Sequence, residues 1–140
     1  MKKVFLPLLF LGALALSSCE VNHSSIYWES GLKNKGYAVT TYSQSKAKET
    51  FTDLNYNGIS FMNALYAEKG ADENKEIFLA FFFIDVNSTV YFMERNHNEN
   101  EDILGAYGRK NIGENLKGVL GYKDNVAYVG TAAAYEAALH

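Results

Sequence analysis

An eight-residue apolar segment, Ile77–Ile84, limits most strongly what this chain can fold into. Its sequence, Ile-Phe-Leu-Ala-Phe-Phe-Phe-Ile, has no alternation of polar and apolar residues, and polar residues bound it on both sides. A continuous run of this kind is typical of a β-strand with both faces covered, or of a central strand under helices. We therefore predict that it forms a strand in the core. The alternative is an exposed patch that docks on a partner or on a membrane.

The residues that precede this apolar run predict one strand and a helix that directly follows that strand. Gly36–Tyr42 is rich in β-branched and aromatic residues, which strands favour. Ser43 or Ser45 is a candidate N-cap for a helix that follows the strand. Three apolar residues of that helix share one face: Ala47, Phe51 and Leu54.

Two further elements are predicted, each after a turn: a helix after the turn near residue 57 and a strand after the turn near residue 85. Ser60 is a candidate N-cap for a second helix, which continues through Phe61–Leu65 and stops at Gly70. After the central run, Asp85–Ser88 is interpreted as a short turn that leads into a strand at Thr89–Met93. The resulting hairpin places Val90 and Phe92 on one face and Tyr91 and Met93 on the other.

The C-terminal segment completes an α+β prediction. Val126–Val129 is interpreted as a last strand, and Thr131 is a candidate cap for a helix through Ala132–Leu139, which is rich in alanine. The fold we expect is a small antiparallel sheet of about four strands, centred on residues 77–93. Two or three short helices pack against its apolar face.

The first nineteen residues have the pattern of a secretory signal segment. Lys2 and Lys3 are followed by an apolar run over residues 4–16, and Ser17-Ser18-Cys19 closes it. A transmembrane helix and an ordinary cleaved signal are the alternatives. The apolar run is shorter than the about twenty residues that a membrane span requires, and this argues against the first alternative.

The segment Leu16-Ser17-Ser18-Cys19 resembles the lipobox of a bacterial lipoprotein precursor. The resemblance implies cleavage between Ser18 and Cys19, a diacylglyceryl group on the Cys19 sulfur and, in a host with two membranes, an acyl chain on the new amino terminus. Glu20 follows the cysteine where an inner-membrane retention signal would have Asp. In a host with two membranes, the resemblance thus implies anchoring at the periplasmic face of the outer membrane. In a host with one membrane, it implies anchoring at the outer face of the plasma membrane.

This interpretation divides the chain into three parts: a cleaved signal peptide over 1–18, a lipidated tether over 19–25, and one globular domain over 26–140. Cleavage removes two of the 13 basic residues and none of the 16 acidic ones. The acidic balance argues against a nucleic-acid partner, because such binding needs a basic face. The single cysteine is used by the lipid, so the domain has no disulfide and no thiol nucleophile.

Candidates for chemistry in the domain are few. His97 lies among acidic residues that suit a hard cation: Glu99, Glu101 and Asp102. Their order does not match a calcium-binding loop, and a solvated acidic loop is the simpler interpretation.

The three histidines, His23, His97 and His140, are too far apart in sequence to indicate a zinc site. Gly113 and Gly118 have the spacing of a phosphate-binding loop, but its lysine is missing. We therefore expect neither a metal nor a cofactor.

These patterns favour a non-catalytic binding or accessory lipoprotein of the cell envelope, such as an assembly factor, a pilotin-like subunit, or an inhibitor or immunity protein. Its partners are the membrane, through the lipid on Cys19, and an envelope protein. Tyr27 and Trp28 are the candidate contact residues for that protein, since Tyr and Trp often anchor interfaces; packing in the core is the alternative. Two other functions stay open: an envelope hydrolase or metal-dependent enzyme that uses His97, and a surface-exposed structural lipoprotein or adhesin.

Overall fold

A computed structural model describes residues 22–52, 54–96 and 118–140. These ranges hold four α-helices and five β-strands, in the order α1 (Ser25–Asn34), β1 (Ala38–Tyr42), α2 (Gln44–Thr50), β2 (Phe61–Lys69), β3 (Glu76–Phe83), α3 (Val86–Arg95), β4 (Gly118–Lys123), β5 (Val126–Thr131) and α4 (Ala132–Ala138). A short 3-10 turn, Asp72–Asn74, joins β2 to β3. The α+β prediction is confirmed, with five strands in place of about four.

The five strands form one antiparallel sheet in the order β1-β2-β3-β5-β4. Strand β3 is the middle strand, and its Leu79 lies opposite Tyr66 of β2 and Val129 of β5. Because β3 has a strand on each side, its backbone groups are used within the sheet, and its side chains decide what packs above and below it.

Both faces of β3 are buried after Glu76, which explains why its sequence is apolar at every position from Ile77 to Phe83. Phe78, Ala80 and Phe82 belong to a core cluster that includes residues of α1 and α4. The alternate residues, Leu79, Phe81 and Phe83, belong to a second cluster that includes residues of α2 and α3. The prediction of a covered central strand is confirmed, and the sheet is sandwiched between two helical layers.

Aromatic rings fill the layer under α3, while small residues bring α1 and α4 together on the other face. The ring of Phe92 lies 4.9 Å from that of Phe83 and 5.3 Å from that of Phe81, centroid to centroid. On the other face, a Cβ on Gly31 of α1 would lie 2.5 Å from the carbonyl oxygen of Ala137 in α4. No larger residue fits at Gly31 without separating the two helices.

Phe61–Lys69 is a strand, and the prediction of a helix that begins at Ser60 is wrong. This segment pairs with β1 on one side and with β3 on the other, so the sheet satisfies its backbone. Leu65 faces the cluster under α1, whereas the adjacent Ala64 faces the opposite cluster. Tertiary pairing has overridden a helical spacing that was only local. Gly70, predicted as a helix stop, follows the strand with a φ of +84°.

Val86–Arg95 is a helix, so the predicted hairpin over residues 77–93 is also wrong. Asp85 is its N-cap: the carboxylate accepts a hydrogen bond from the Ser88 N–H at 2.9 Å. The buried residues Thr89 and Phe92 are three positions apart, as on one helical face. The predicted division of residues 90–93 between two strand faces therefore does not hold.

The first strand, the start of the helix after it, and the last strand and helix are confirmed. Strand β1 lies within Gly36–Tyr42. Helix α2 begins after Ser43, whose hydroxyl accepts a hydrogen bond from the Lys46 N–H, and its Ala47 is buried. The helix ends at Thr50, so Phe51 and Leu54 are buried beyond its end and not on its face. Strand β5 and helix α4 follow at the predicted places, although the Thr131 hydroxyl makes no capping bond.

Candidate functional site at the hairpin end of the sheet

One end of the sheet, which we call the hairpin end, collects the features of most functional interest. The two-residue turn Asp124–Asn125 between β4 and β5 lies at this end, together with the start of β2 and the last residues of β3. Helix α1 also begins here, because the Asn63 side-chain amide donates to the Ser25 hydroxyl at 3.1 Å. The chain therefore enters the domain at the hairpin end.

The side chain of Asn125 fixes the entering chain at His23. Its carbonyl oxygen accepts a hydrogen bond from the His23 N–H at 2.6 Å, and its NH₂ group donates to the His23 carbonyl at 3.0 Å. The same NH₂ group donates to the Phe83 carbonyl at 3.0 Å, and the Phe83 N–H donates to the Asn125 carbonyl at 2.8 Å. Asn125 is almost fully buried. It ties the start of the domain to the end of the central strand.

The imidazole of His23 is also held in place. Its Nε2 lies 2.9 Å from a carboxylate oxygen of Asp124, which has a left-handed backbone conformation at the turn. The ring packs edge-on against Trp28 at 5.4 Å, and Trp28 in turn contacts Phe82 at 5.6 Å. The predicted tether, residues 19–25, includes both His23 and Ser25. The contacts of His23 with Asn125 and Asp124 attach it to the folded domain, and the hydrogen bond from Asn63 attaches Ser25 to the same domain.

Four large apolar side chains are exposed around this entry point, and we call them the apolar rim. Their exposed fractions are 73% for Ile26, 69% for Tyr27, 53% for Met62 and 55% for Ile84. Ile26 and Tyr27 lie in the first turn of α1. Met62 lies in a β-bulge at the start of β2.

Two hydrogen bonds place the three segments that carry the rim at the same end of the sheet. The Ile84 N–H donates to the Ser60 carbonyl at 3.1 Å, one pair beyond the Phe61–Phe83 pair of the sheet. The hydrogen bond of Asn63 to Ser25 joins the neighbour of Met62 to the neighbour of Ile26. An apolar surface on three separate segments thus surrounds the point where the chain enters.

The two candidate contact residues of the sequence have different environments. Trp28 is 1% exposed and stacks on Phe78 in the core, so it offers no surface to a partner in this fold. Tyr27, the preceding residue, is exposed. The sequence did not indicate Ile26, Met62 or Ile84. For Ile84 the available signal was its position as the last residue of the apolar run, beyond the end of the strand.

A second candidate surface is the free side of strand β1. Among the described residues, β1 pairs with β2 alone, and Ala38, Thr40 and Thr41 are exposed. Its sequence, Ala-Val-Thr-Thr-Tyr, has no charged residue and no proline, which are common protections of sheet edges. As far as residues 22–52, 54–96 and 118–140 are concerned, this side of the β1 backbone is open to pairing with another extended segment.

Several predicted residues lie outside the described part of the chain: Ser18, Cys19, His97, Glu99, Glu101, Asp102 and Gly113. Within residues 22–52, 54–96 and 118–140, no group of three or more His, Cys, Asp or Glu side chains is placed to hold a metal ion. No helix in those ranges has the length and apolar character needed to cross a membrane. Comparisons with protein-family models, curated proteins and solved structures found no match.

Proposed function

We propose that this protein is a lipid-anchored lipoprotein of the bacterial cell envelope that acts as a non-catalytic binding or accessory protein. The observation that carries the proposal is the lipobox, with the single cysteine of the chain at its last position, Cys19. Cys19 lies only four residues before His23, where the described contacts of the domain begin. An anchor this close holds a small domain beside the membrane.

Strand β1 is the surface that we propose for the protein partner. An extended peptide can add to an exposed strand through main-chain hydrogen bonds, and its alternate side chains then supply specificity. Strand β4 forms the other edge of the sheet. It is less suited to pair with a peptide, because it ends in the charged residue Lys123. The proposed partner is therefore an envelope protein that presents an extended segment to Thr40 and Thr41.

Site-specific photocrosslinking in cells tests this proposal. We expect a benzophenone amino acid at Thr40 in the lipidated full-length protein to yield one discrete adduct. The matched control places the same probe at Tyr91, which is exposed on α3, a helix that packs on β3, β4 and β5. Cys19→Ala serves as the version without an anchor.

An adduct from position 40 that is absent from position 91 and lost in Cys19→Ala supports an anchored binding protein. Adducts of equal yield from both positions would contradict a specific surface on β1. An adduct that persists unchanged in Cys19→Ala would contradict the need for the anchor.

A further inference from the structure

We infer that the apolar rim lies in the interface of the same bilayer that holds the lipid of Cys19, so that the hairpin end faces the membrane. This inference rests on the lipid anchor proposed above, but it adds a second contact that the anchor does not require. A lipidated domain can also stand away from the bilayer on its tether.

The length of chain before the domain limits how far the hairpin end can stand from the anchor. Four residue steps separate Cys19 from His23, and a fully extended chain spans at most about 3.6 Å per residue. The backbone of His23 therefore lies within about 14 Å of that of Cys19. Because Asn125 holds His23 at the hairpin end, this end lies next to the anchor in every orientation of the domain.

The chemistry of the rim suits the boundary between headgroups and acyl chains. Ile26, Met62 and Ile84 present apolar side chains, and Tyr27 combines an apolar ring with a polar hydroxyl. Aromatic rings with polar tips are enriched at membrane interfaces. Exposed apolar side chains placed around an acylated segment can enter the headgroup region without a change in the fold.

Charge at the hairpin end indicates an apolar rather than an electrostatic contact. Charged residues here include Lys123, Asp85 and Asp124, and the last of these pairs with His23. Both signs are present, so the attraction of a basic patch to anionic headgroups is not the expected driving force. We therefore expect the contact to be insensitive to salt and to anionic lipid.

A fluorescent label at Ile84 tests the inference, because this position is far in sequence from the anchor. Ile84→Cys is labelled with an environment-sensitive dye in the lipidated protein, whose other cysteine, Cys19, is blocked by its lipid. Lys35→Cys is the control: Lys35 caps the far end of α1, whose ten residues span about 15 Å. Both proteins are reconstituted in phosphatidylcholine vesicles that contain nitroxide lipids, and circular dichroism verifies that they are folded.

We expect a blue shift and nitroxide quenching for the label at position 84, several-fold stronger than at position 35, and unchanged by salt or by added phosphatidylglycerol. A flexible insert of about ten residues after Glu20 tests whether the contact is intrinsic to the rim. Quenching at position 84 that survives the insert supports the inference. Quenching that disappears with the insert would show that the short tether alone brings the label near the bilayer, and would overturn it.

Two other outcomes also overturn the inference and leave the proposed function separable from it. In the first, the protein still sediments with vesicles, but the label at position 84 is as exposed to water as the label at position 35. This result would refute the rim contact and leave the anchor supported. Shielding of position 84 only at a high ratio of protein to lipid would identify a second copy of the chain as the occupant. Loss of sedimentation itself would instead refute the anchor.

Discussion

The two ends of the sheet differ in chemistry although they belong to the same strands. At the hairpin end the four exposed side chains of the apolar rim lie around the entering chain, with only a few charged residues beside them. At the opposite end, Lys75 forms an ion pair with Glu68 at 3.0 Å, and the Lys69 ammonium donates to the Lys35 carbonyl at 2.7 Å. We call this second region the charged end.

The charged end has the chemistry of an ordinary water-exposed surface, where long charged side chains cover the ends of strands. Single exposed apolar residues are also ordinary, but here four of them lie on three segments at one end, and clustered exposed apolar residues are typical of interaction surfaces. The contrast gives the domain a direction, with the hairpin end toward the proposed anchor and the charged end toward water.

The largest effect on stability is expected from the neighbouring pair Trp28 and Tyr27. Trp28→Ala should lower the free energy of unfolding by about 3–5 kcal/mol, because the indole is buried against Phe78 and Phe82. Tyr27→Ala should change it by less than about 0.5 kcal/mol, since this side chain is exposed. Urea denaturation of both variants checks the difference, and equal losses would contradict the division into core and rim.

Removing the Asn125 side chain should weaken the attachment of His23. Asn125→Ala leaves the buried Phe83 carbonyl and the His23 backbone without their partners, at a cost of about 1–3 kcal/mol. We also expect faster proteolysis near residue 23, measured by mass spectrometry of the fragments. Asn63→Ala, which removes only one hydrogen bond at the same end, is the matched control. Unchanged proteolysis in Asn125→Ala would contradict the fixed entry point.

Asp85 should matter for α3 and not for the orientation of the rim. Asp85→Ala removes the N-cap and should cost about 1 kcal/mol in the free energy of unfolding. Asp85→Asn keeps an oxygen acceptor and should lose less. Thermal unfolding of the two variants provides the test, and equal losses would show that the cap bond is not the source of the effect.

The charged end should respond to alkaline pH through Tyr37. Burial raises the pKa of Tyr37 above its ordinary value, and a hydrogen bond to the Glu76 carboxylate raises it further. The folded state thus disfavours the phenolate. The associated stability is complete below the unfolded pKa of about 10 and is lost as pH rises above it.

Tyr37→Phe should therefore show a shallower loss of stability above pH about 10 than the unaltered protein, measured by denaturation at several pH values. Burial, followed by a hydrogen bond to Tyr135, also raises the pKa of Tyr128, so part of the alkaline loss should remain in the variant. An identical pH profile in the two proteins would refute the contribution of Tyr37.

The sequence was most informative where one residue pattern allowed one structural solution. The uninterrupted apolar run of β3 required cover on both faces. Local composition also predicted β1, from its aromatic and β-branched residues, and α4, from its alanines. The apparent alternation at Thr89–Met93 was misleading, because the cap bond of Asp85 and the burial of Phe92 under one helical face decided the structure. In β2, pairing on both sides decided against a helix.

The candidate site was less accessible to sequence reasoning than the fold. Trp28 and Tyr27 are adjacent and similar in type, yet only the geometry of α1 makes one buried and the other exposed. Met62 joins the rim because of a bulge, and Ile84 because the strand ends one residue earlier. Such features depend on register and element boundaries, which local patterns specify poorly.

Mass spectrometry of the amino-terminal peptide tests the lipid anchor on Cys19 most directly. The protein is extracted from membranes of cells that produce the full chain, and the peptide that precedes His23 is analysed for its first residue and attached groups. We expect a peptide that begins at Cys19 and carries a diacylglyceryl group on its sulfur. A peptide with a free Cys19 thiol, or one that begins elsewhere, would contradict the anchor and with it the proposed orientation of the domain.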